Sequence, residues 1–582
     1  MQKNKYLLLV SSFLTLLLLV AAASQEHFGK EWRDIQSQGE EDDVPIPVQL
    51  RQIVNRGLGI SDRCVSCHVA MAPGEEFVEG SPLLRRHEPV THEPAEYGCT
   101  VCHGGQGLAT EKADAHGDVD FWPQPMLPPD MSQAGCGTCH AHVGIPNVDA
   151  LAASRAVVER SFCLACHRVD GRGGPPQPRG PGRRAGAPRE PQEARLQGPD
   201  LSGAGLAGFD ARWYEDHLAK STDGTAPFET AAPSEAASSE AVSSEAELWA
   251  TFRPVTDADR VAVRAYLGTR VGAPDLVEAK ATFFSSGCLG CHKVSGVGGD
   301  EGPDLTQVGD KDPGQVDFAQ VPGVRSLVSW NLEHFRSPGA VAAGSNMPVL
   351  GLTDDEIRKL TLYMLSLRRR DVPGSYMPED RLRVTRLGER EFAPDGATIF
   401  GAFCTGCHGL DGMGRRSPGM PAFPSVANPD FLSRVSDEFV ETTIRLGRPG
   451  RRMPAWGQIA GGLRPEEIAA VVGYLRTQSG IAAPSDPRSQ RWVTGDATTG
   501  ERLFASACSG CHGATGEGGE GPALNNPVLL ESATDTYLVE TIGNGRRGTA
   551  MPGFMTPSPV HPTFGQEEIE AVVAFLRTWQ PR

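Results

Sequence analysis

The sequence predicts a mainly α chain of several small modules. Three observations carry this: its length, the amphipathic segments that recur along its second half, and a Cys-x-x-Cys-His motif that occurs seven times. At 582 residues the chain exceeds what one hydrophobic core fills, so several domains of about 80 to 150 residues are expected. Only 7% of residues are aromatic, whereas 68 are Gly and 46 are Pro, which suggests loop-rich modules held by something besides apolar burial.

All fourteen cysteines stand three apart in pairs, each pair followed at once by histidine: Cys64/Cys67, Cys99/Cys102, Cys136/Cys139, Cys163/Cys166, Cys288/Cys291, Cys404/Cys407 and Cys508/Cys511. A disulfide framework has no use for that histidine, and a redox dithiol would occur once beside a βαβ pattern. Tetrahedral zinc sites pair two such half-motifs, and seven is odd. The chemistry that needs these residue types at this spacing is covalent haem attachment: two thiols on one helical turn add to the haem vinyl groups, and the next residue reaches the iron. Seven covalently attached haems c are therefore expected, with proximal ligands His68, His103, His140, His167, His292, His408 and His512.

The first 24 residues, MQKNKYLLLVSSFLTLLLLVAAAS, place Lys3 and Lys5 before an apolar run from Tyr6 to Ala23. This is the pattern of an export signal, and its length also suits a retained single-span anchor; both readings stand. Either puts the remainder outside the cytoplasm, on the periplasmic side. No cysteine precedes Cys64, so a lipoprotein anchor is not expected. The net charge of −17 argues against nucleic acid and favours docking on basic surfaces of redox partners.

After the acidic linker QSQGEEDDVPIP, three motifs crowd between Cys64 and His140, too closely for three separate helical domains. Little regular structure is expected there, with the porphyrins forming much of the core. The last three motifs instead sit in an internal repeat. Each repeat has Phe four residues before the first cysteine (Phe284, Phe400, Phe504), then a proline loop GPDL, MPAF or GPAL (Pro303, Pro421, Pro522), then a Met-Pro. Each closes with an amphipathic helix, and Thr353 with Glu356 reads as a capping box at one such start.

This repeat resembles the small all-α cytochrome c fold over residues 276–370, 388–480 and 492–580. The resemblance implies Met347, Met453 and Met551 as distal ligands, with the proline carbonyl orienting the proximal histidine through its other ring nitrogen. Met420, directly before Pro421, reads as part of the proline loop. Residues 151–275 look like a fourth, divergent domain of the same kind: they keep CLACH, GPDL at Gly198 to Leu201 and the closing segment TDADRVAVRAYL. Two insertions low in large apolar residues, RGGPPQPRGPGRRAGAPREPQEAR and ETAAPSEAASSEAVSSEAE, read as flexible surface loops. The fold class is thus a haem-packed triheme segment followed by four tandem cytochrome c-like domains.

Within residues 25–150, the stretches EWRDIQ, DRCVSCH, RRHEPVTHEPAEYGCTVCHGGQG, DAHG and CGTCH look like multihaem cytochromes associated with membrane quinol-oxidising complexes. That likeness implies bis-histidine ligation with His87, His92 and His116 as distal ligands, and His142 as the runner-up. Which histidine serves which iron is not legible.

The fourth domain lacks its methionine. Alignment puts Ala250 or Ala226 in the methionine column, and neither binds iron. His217 in WYEDHL is a candidate substitute, yet His334 occupies the same column in the next repeat, where Met347 already stands. His217, a ligand from elsewhere such as His142, and an open iron all remain.

The reading of function is a c-type cytochrome that carries single electrons outside the cytoplasmic membrane, from a membrane quinol-oxidising complex to a downstream redox protein or oxidase. The alternative is a haem enzyme reducing a small ligand such as peroxide or nitrite at an open fourth haem. A subunit whose haems merely scaffold a complex is a third.

Overall fold

The computed structural model describes residues 2–41, 44–71, 87, 90–174, 198–206, 217–218, 255–368, 371–415, 423–485 and 488–580. Most of both low-complexity insertions lies outside these residues, as do Ala226, Ala250, Met420 and Pro421. The chain is about 49% helical with few strands, a mainly α fold. It divides into two units: Met1–Ala141 with Gly272–Leu276 and Gln307–Leu382, and His142–Val271 with Val277–Thr306 and Arg383–Arg582.

In the first unit, Gln2–Phe28 is one helix whose apolar side chains, Leu7 to Val20, are exposed all round. By length and composition it could cross a membrane. Beyond it the regular elements are short. The hairpins Glu40–Glu41/Val44–Pro45 and Ile53–Asn55/Ile60–Asp62 precede helices of four or five residues, Pro94–Tyr97, Thr100–His103 and Lys112–His116, and then a 3-10 stretch Pro129–Thr138. Side chains are therefore placed by specific polar contacts and backbone proximity more than by long elements. Asp62, two residues before Cys64, reaches the second motif: its carboxylate accepts from the backbone of Cys99 (2.6 Å) and Thr100 (2.8 Å) and from Thr100 Oγ1 (2.8 Å). A carboxylate on the first N–H groups of a helix satisfies donors that have no partner within it. Gly135 lies against the Cys102 carbonyl where any Cβ would collide, so the second and third motifs meet backbone on backbone. The helices Leu327–Arg336 and Asp354–Ser366 complete this unit; the second starts with the capping box expected at Thr353 and Glu356.

In the second unit the repeat is visible as geometry. Gly396–Phe403 opens one module and Pro465–Ser479 closes it; Ala497–Ala507 and Gln566–Arg577 do the same in the next. Opening and closing helices cross through aromatic pairs, Phe400 with Tyr474 (5.5 Å) and Phe504 with Phe575 (5.6 Å). Phe400 and Phe504 are buried, and each accepts the N–H of the first motif cysteine at 2.9 Å. This explains the Phe four residues ahead of the motif: it anchors the turn that carries the cysteines. Matching ion pairs, Arg476 with Asp437 and Arg577 with Asp535, tie each closing helix to the helix before it, at 2.8 Å in both. The divergent segment keeps its two ends, Val148–Arg160 capped by Asn147 and Asp257–Gly268 capped by Thr256.

Candidate functional site

All seven motifs adopt the same turn. The histidine N–H donates to the carbonyl of the first cysteine at 2.8 to 3.0 Å, from His68 to Cys64 through to His512 to Cys508. An i to i+4 bond places the two cysteines and the histidine on one helical turn, as attachment at two thioethers and one iron requires. None of the fourteen cysteines is in a disulfide. Burial pushes several of them up, Cys136, Cys288 and Cys404 to about 12 and Cys163 and Cys508 to about 11, so they are neutral thiols at physiological pH.

Among the fourteen cysteines Cys511 is exposed, whereas the other thirteen are half-buried. After the motif the Gly521 N–H donates to the Cys511 carbonyl at 2.9 Å, as Gly302 does to Cys291 at 2.8 Å. Cys291 and Cys407, the second cysteines of the two preceding motifs, have the charged side chains of Glu301 and Arg452 beside them. Cys511 keeps its place on the attachment turn, since its N–H donates to the Cys508 carbonyl at 3.2 Å.

The second ring nitrogen of the proximal histidines has a repeated partner. His167 Nδ1 donates to the Pro199 carbonyl (3.0 Å), His292 to Pro303 (2.8 Å), His408 to Pro424 (2.8 Å) and His512 to Pro522 (2.8 Å). A proton fixed on Nδ1 leaves the Nε2 lone pair for a metal. Burial lowers the pKa of His408 and His512, despite the opposing carbonyl contacts, and favours the neutral ring in both. The third of these bonds corrects the sequence reading, which assigned the role to Pro421. MPAFPS holds two prolines, and the second one bonds. Pro424 stands four residues before Asn428, which caps Pro429–Leu432, just as Pro522 stands four before Asn526, which caps Pro527–Ser532. Those paired Asn-Pro caps were the alignment signal.

In the first unit His140 departs from the carbonyl pattern: its Nδ1 lies 3.1 Å from the buried Asp380 carboxylate. His68 Nδ1 is buried and has no hydrogen-bond partner among the described residues.

On the opposite side, imidazoles face imidazoles. His87 faces His103 and His92 faces His140, with ring centroids 6.0 Å apart in both pairs. Burial first, then electrostatic contact with His116 and His103, hold the His68 pKa below its ordinary value. The same causes act on His103 through His87 and on His92 through His140. In the second unit His217 faces His167, again at 6.0 Å, with ring planes at 74°. Metal–imidazole bonds of about 2 Å put two ring centroids about 6 Å apart across one ion, so these pairs fit an iron held from both sides. The three distal histidines expected near the N-terminus are thus each brought beside a different proximal one. His142, the runner-up, is buried with a left-handed backbone (φ 54°), and its carbonyl accepts from Lys280.

The methionine loops also repeat. The Met453 carbonyl accepts from Arg448 (2.9 Å) and the Met551 carbonyl from Arg546 (3.0 Å). Each loop leaves its helix at a glycine of positive φ, Gly447 (65°) and Gly545 (67°), where a Cβ would meet the returning Pro454 at 2.5 Å or Gly553 at 2.6 Å. Met347 has a neighbour that the sequence did not assign: His334 Nε2 lies 3.2 Å from its sulfur, and the His334 ring stacks on Trp330 at 4.5 Å.

A family model described as cytochrome C oxidase, cbb3-type, subunit III matches residues 391–475 and 495–576, and one described as cytochrome c matches 276–368. Among curated relatives, the cbb3-type cytochrome c oxidase subunit FixP of Bradyrhizobium sp. (strain ORS 278) is 33% identical over 28% of this chain and 56% of its own length. Subunit CcoP of Rhodobacter capsulatus is 29% identical over 34% of this chain and 69% of its own. The chain spans a little over half the length of the first curated relatives it matches. A solved chain of the Kuenenia stuttgartiensis reducing HAO-like protein complex Kustc0457/Kustc0458 is 18% identical, covering 32% of this chain and 96% of its own, at a TM-score of 0.23, too low to indicate a shared fold.

Proposed function

We propose a path for single electrons through this chain, which is a multihaem c-type cytochrome that transfers electrons. Seven haems c are attached at the seven cysteine pairs, and the protein works on the periplasmic side of the membrane, with Gln2–Phe28 as export signal or anchor. Bound haem supplies reversible one-electron chemistry at iron. The residues set where that chemistry happens and at what potential. His68 with His116, His103 with His87 and His140 with His92 would hold three irons. Met453, Met551 and, by the sequence repeat, Met347 supply thioether ligands, which raise potential relative to a second imidazole. His217 and His167 would together hold the fourth iron.

Electrons therefore enter at the N-terminal triheme from a quinol-oxidising complex and leave from the C-terminal modules to a redox protein or oxidase. Asp62 supports this reading by tying the turn of one motif to the next. So does Gly135, which lets two motifs meet without a side chain between them. The observation that carries the reading is the facing imidazole pair, found at 6.0 Å for His87/His103, His92/His140 and His167/His217.

The test is a potentiometric titration of the full chain together with reduction by quinol and quinol-oxidising membranes. Four bis-histidine sites are expected at lower potential and three His/Met sites higher, with the lower group reduced first in time by the quinol system. A single unresolved wave, or haems that stay oxidised, would refute the directional reading. The alternative, reduction of peroxide or nitrite at an open fourth iron, requires that His217 not occupy the site it faces.

A further inference from the structure

Four of the proximal histidines donate Nδ1–H to a proline carbonyl, a neutral acceptor. His140 does not. Its Nδ1 meets Asp380 Oδ1 at 3.1 Å, and the other carboxylate oxygen accepts the Ala141 N–H at 2.9 Å. Both oxygens are committed to the same short segment, the motif histidine and the residue after it. The carboxylate is 4% exposed and the His140 side chain 10%. Asp380 sits in the first turn of Glu379–Leu387, where the unpaired N–H groups of the helix favour a negative charge. A buried carboxylate held in this way forms a stronger bond to an imidazole N–H than a carbonyl does.

We infer that Asp380 is a positioning residue that lowers the reduction potential of the iron bound by His140. The inference rests on the proposed haem attachment at Cys136 and Cys139. A carboxylate pulling on Nδ1–H makes the imidazole a stronger donor through Nε2. A stronger donor stabilises ferric over ferrous iron, which carries one positive charge fewer. Reduction adds one electron from the donor, and no bond in the protein breaks.

The full chain carrying Asp380→Asn is compared with the parent by spectroelectrochemical titration and by haem content. In the variant a neutral amide replaces the charge. One of the low-potential transitions is expected to move up by about a tenfold change in its reduction equilibrium, about 59 mV for one electron, with the other transitions unmoved. Asp380→Glu, which restores the carboxylate, is expected to return the transition towards the parental value. An unchanged set of potentials in a fully haem-loaded Asp380→Asn protein would overturn the inference and leave Asp380 a purely structural contact. Should that variant fail to assemble, Asp380→Ser, also neutral, is titrated under the same two criteria. Replacing Cys136 and Cys139 by alanine separates the premise: if no haem is lost, the attachment itself is wrong; if one is lost and Asp380→Asn shifts nothing, only the inference about Asp380 fails.

Discussion

Replacing His217 by alanine tests the ligand on which the electron-transfer and enzyme readings part. The parent places the His217 ring 6.0 Å from that of His167, at 74°. Truncation to Cβ removes the imidazole and leaves its space on that side of His167 open to a water or diatomic ligand. The variant is expected to bind carbon monoxide at one haem in seven when reduced, and to show a matching high-spin ferric signal. Added imidazole should reverse both. The ring angle makes a second, independent expectation for the parent. Nearly perpendicular imidazoles at His167/His217 should give a strongly anisotropic low-spin ferric resonance, whereas the 34° pair His92/His140 should give an ordinary rhombic one. The refuting result is a parent that already binds one equivalent of carbon monoxide and is unchanged by the substitution. His217 would then be a bystander and the enzyme reading would gain.

Gly545→Ala would force a Cβ to 2.6 Å from Gly553 N at φ 67°, costing about 1–2 kcal/mol for the left-handed backbone and about 1–3 kcal/mol for the clash. Loss of the weak red methionine–iron charge-transfer band of one haem, with a lower melting temperature, is expected. Gly473→Ala, in the interior of Pro465–Ser479 with open space around its Cβ position, should instead stabilise by about 0.5–1 kcal/mol in chemical denaturation. Asp430 is held down to about 2 by its hydrogen bonds with Arg547, assisted by the charges of Arg547 and Arg434. Because its folded value lies below the ordinary carboxylate value of about 3.9, its stabilisation is present above about pH 4 and is lost as pH falls towards 2. Thermal melts across that window should show this loss in the parent, and Asp430→Asn should flatten it.

The residues proposed to attach haem were legible in the sequence because their chemistry is local. Two thiols and an imidazole within five residues need only one turn of helix, and the structure makes that turn seven times. The repeat was equally legible, since Phe400 and Phe504 anchor their own motifs, and the Thr353 capping box closes within four residues. The exposure of Cys511 was not, because it depends on which side chains the rest of the module brings past the thiol. Nor was what lies across the iron. His87, His92 and His116 could be named as a set, but their pairing with His103, His140 and His68 depends on how short segments return on one another, held by contacts such as Asp62 with Cys99. His217 was separated from His167 by fifty residues of chain rich in insertion, and only the fold brought the rings within 6.0 Å of each other. Pro424 over Pro421 was decided by the register of the Asn428 cap, and Asp380 by an approach to His140 across 240 residues. The sequence by itself determined which groups can hold haem, because covalent attachment is written in adjacent residues. Tertiary structure decided which side chain faces a motif histidine and which hydrogen-bond acceptor its Nδ1 meets, because those are set by distances between segments that no local pattern encodes.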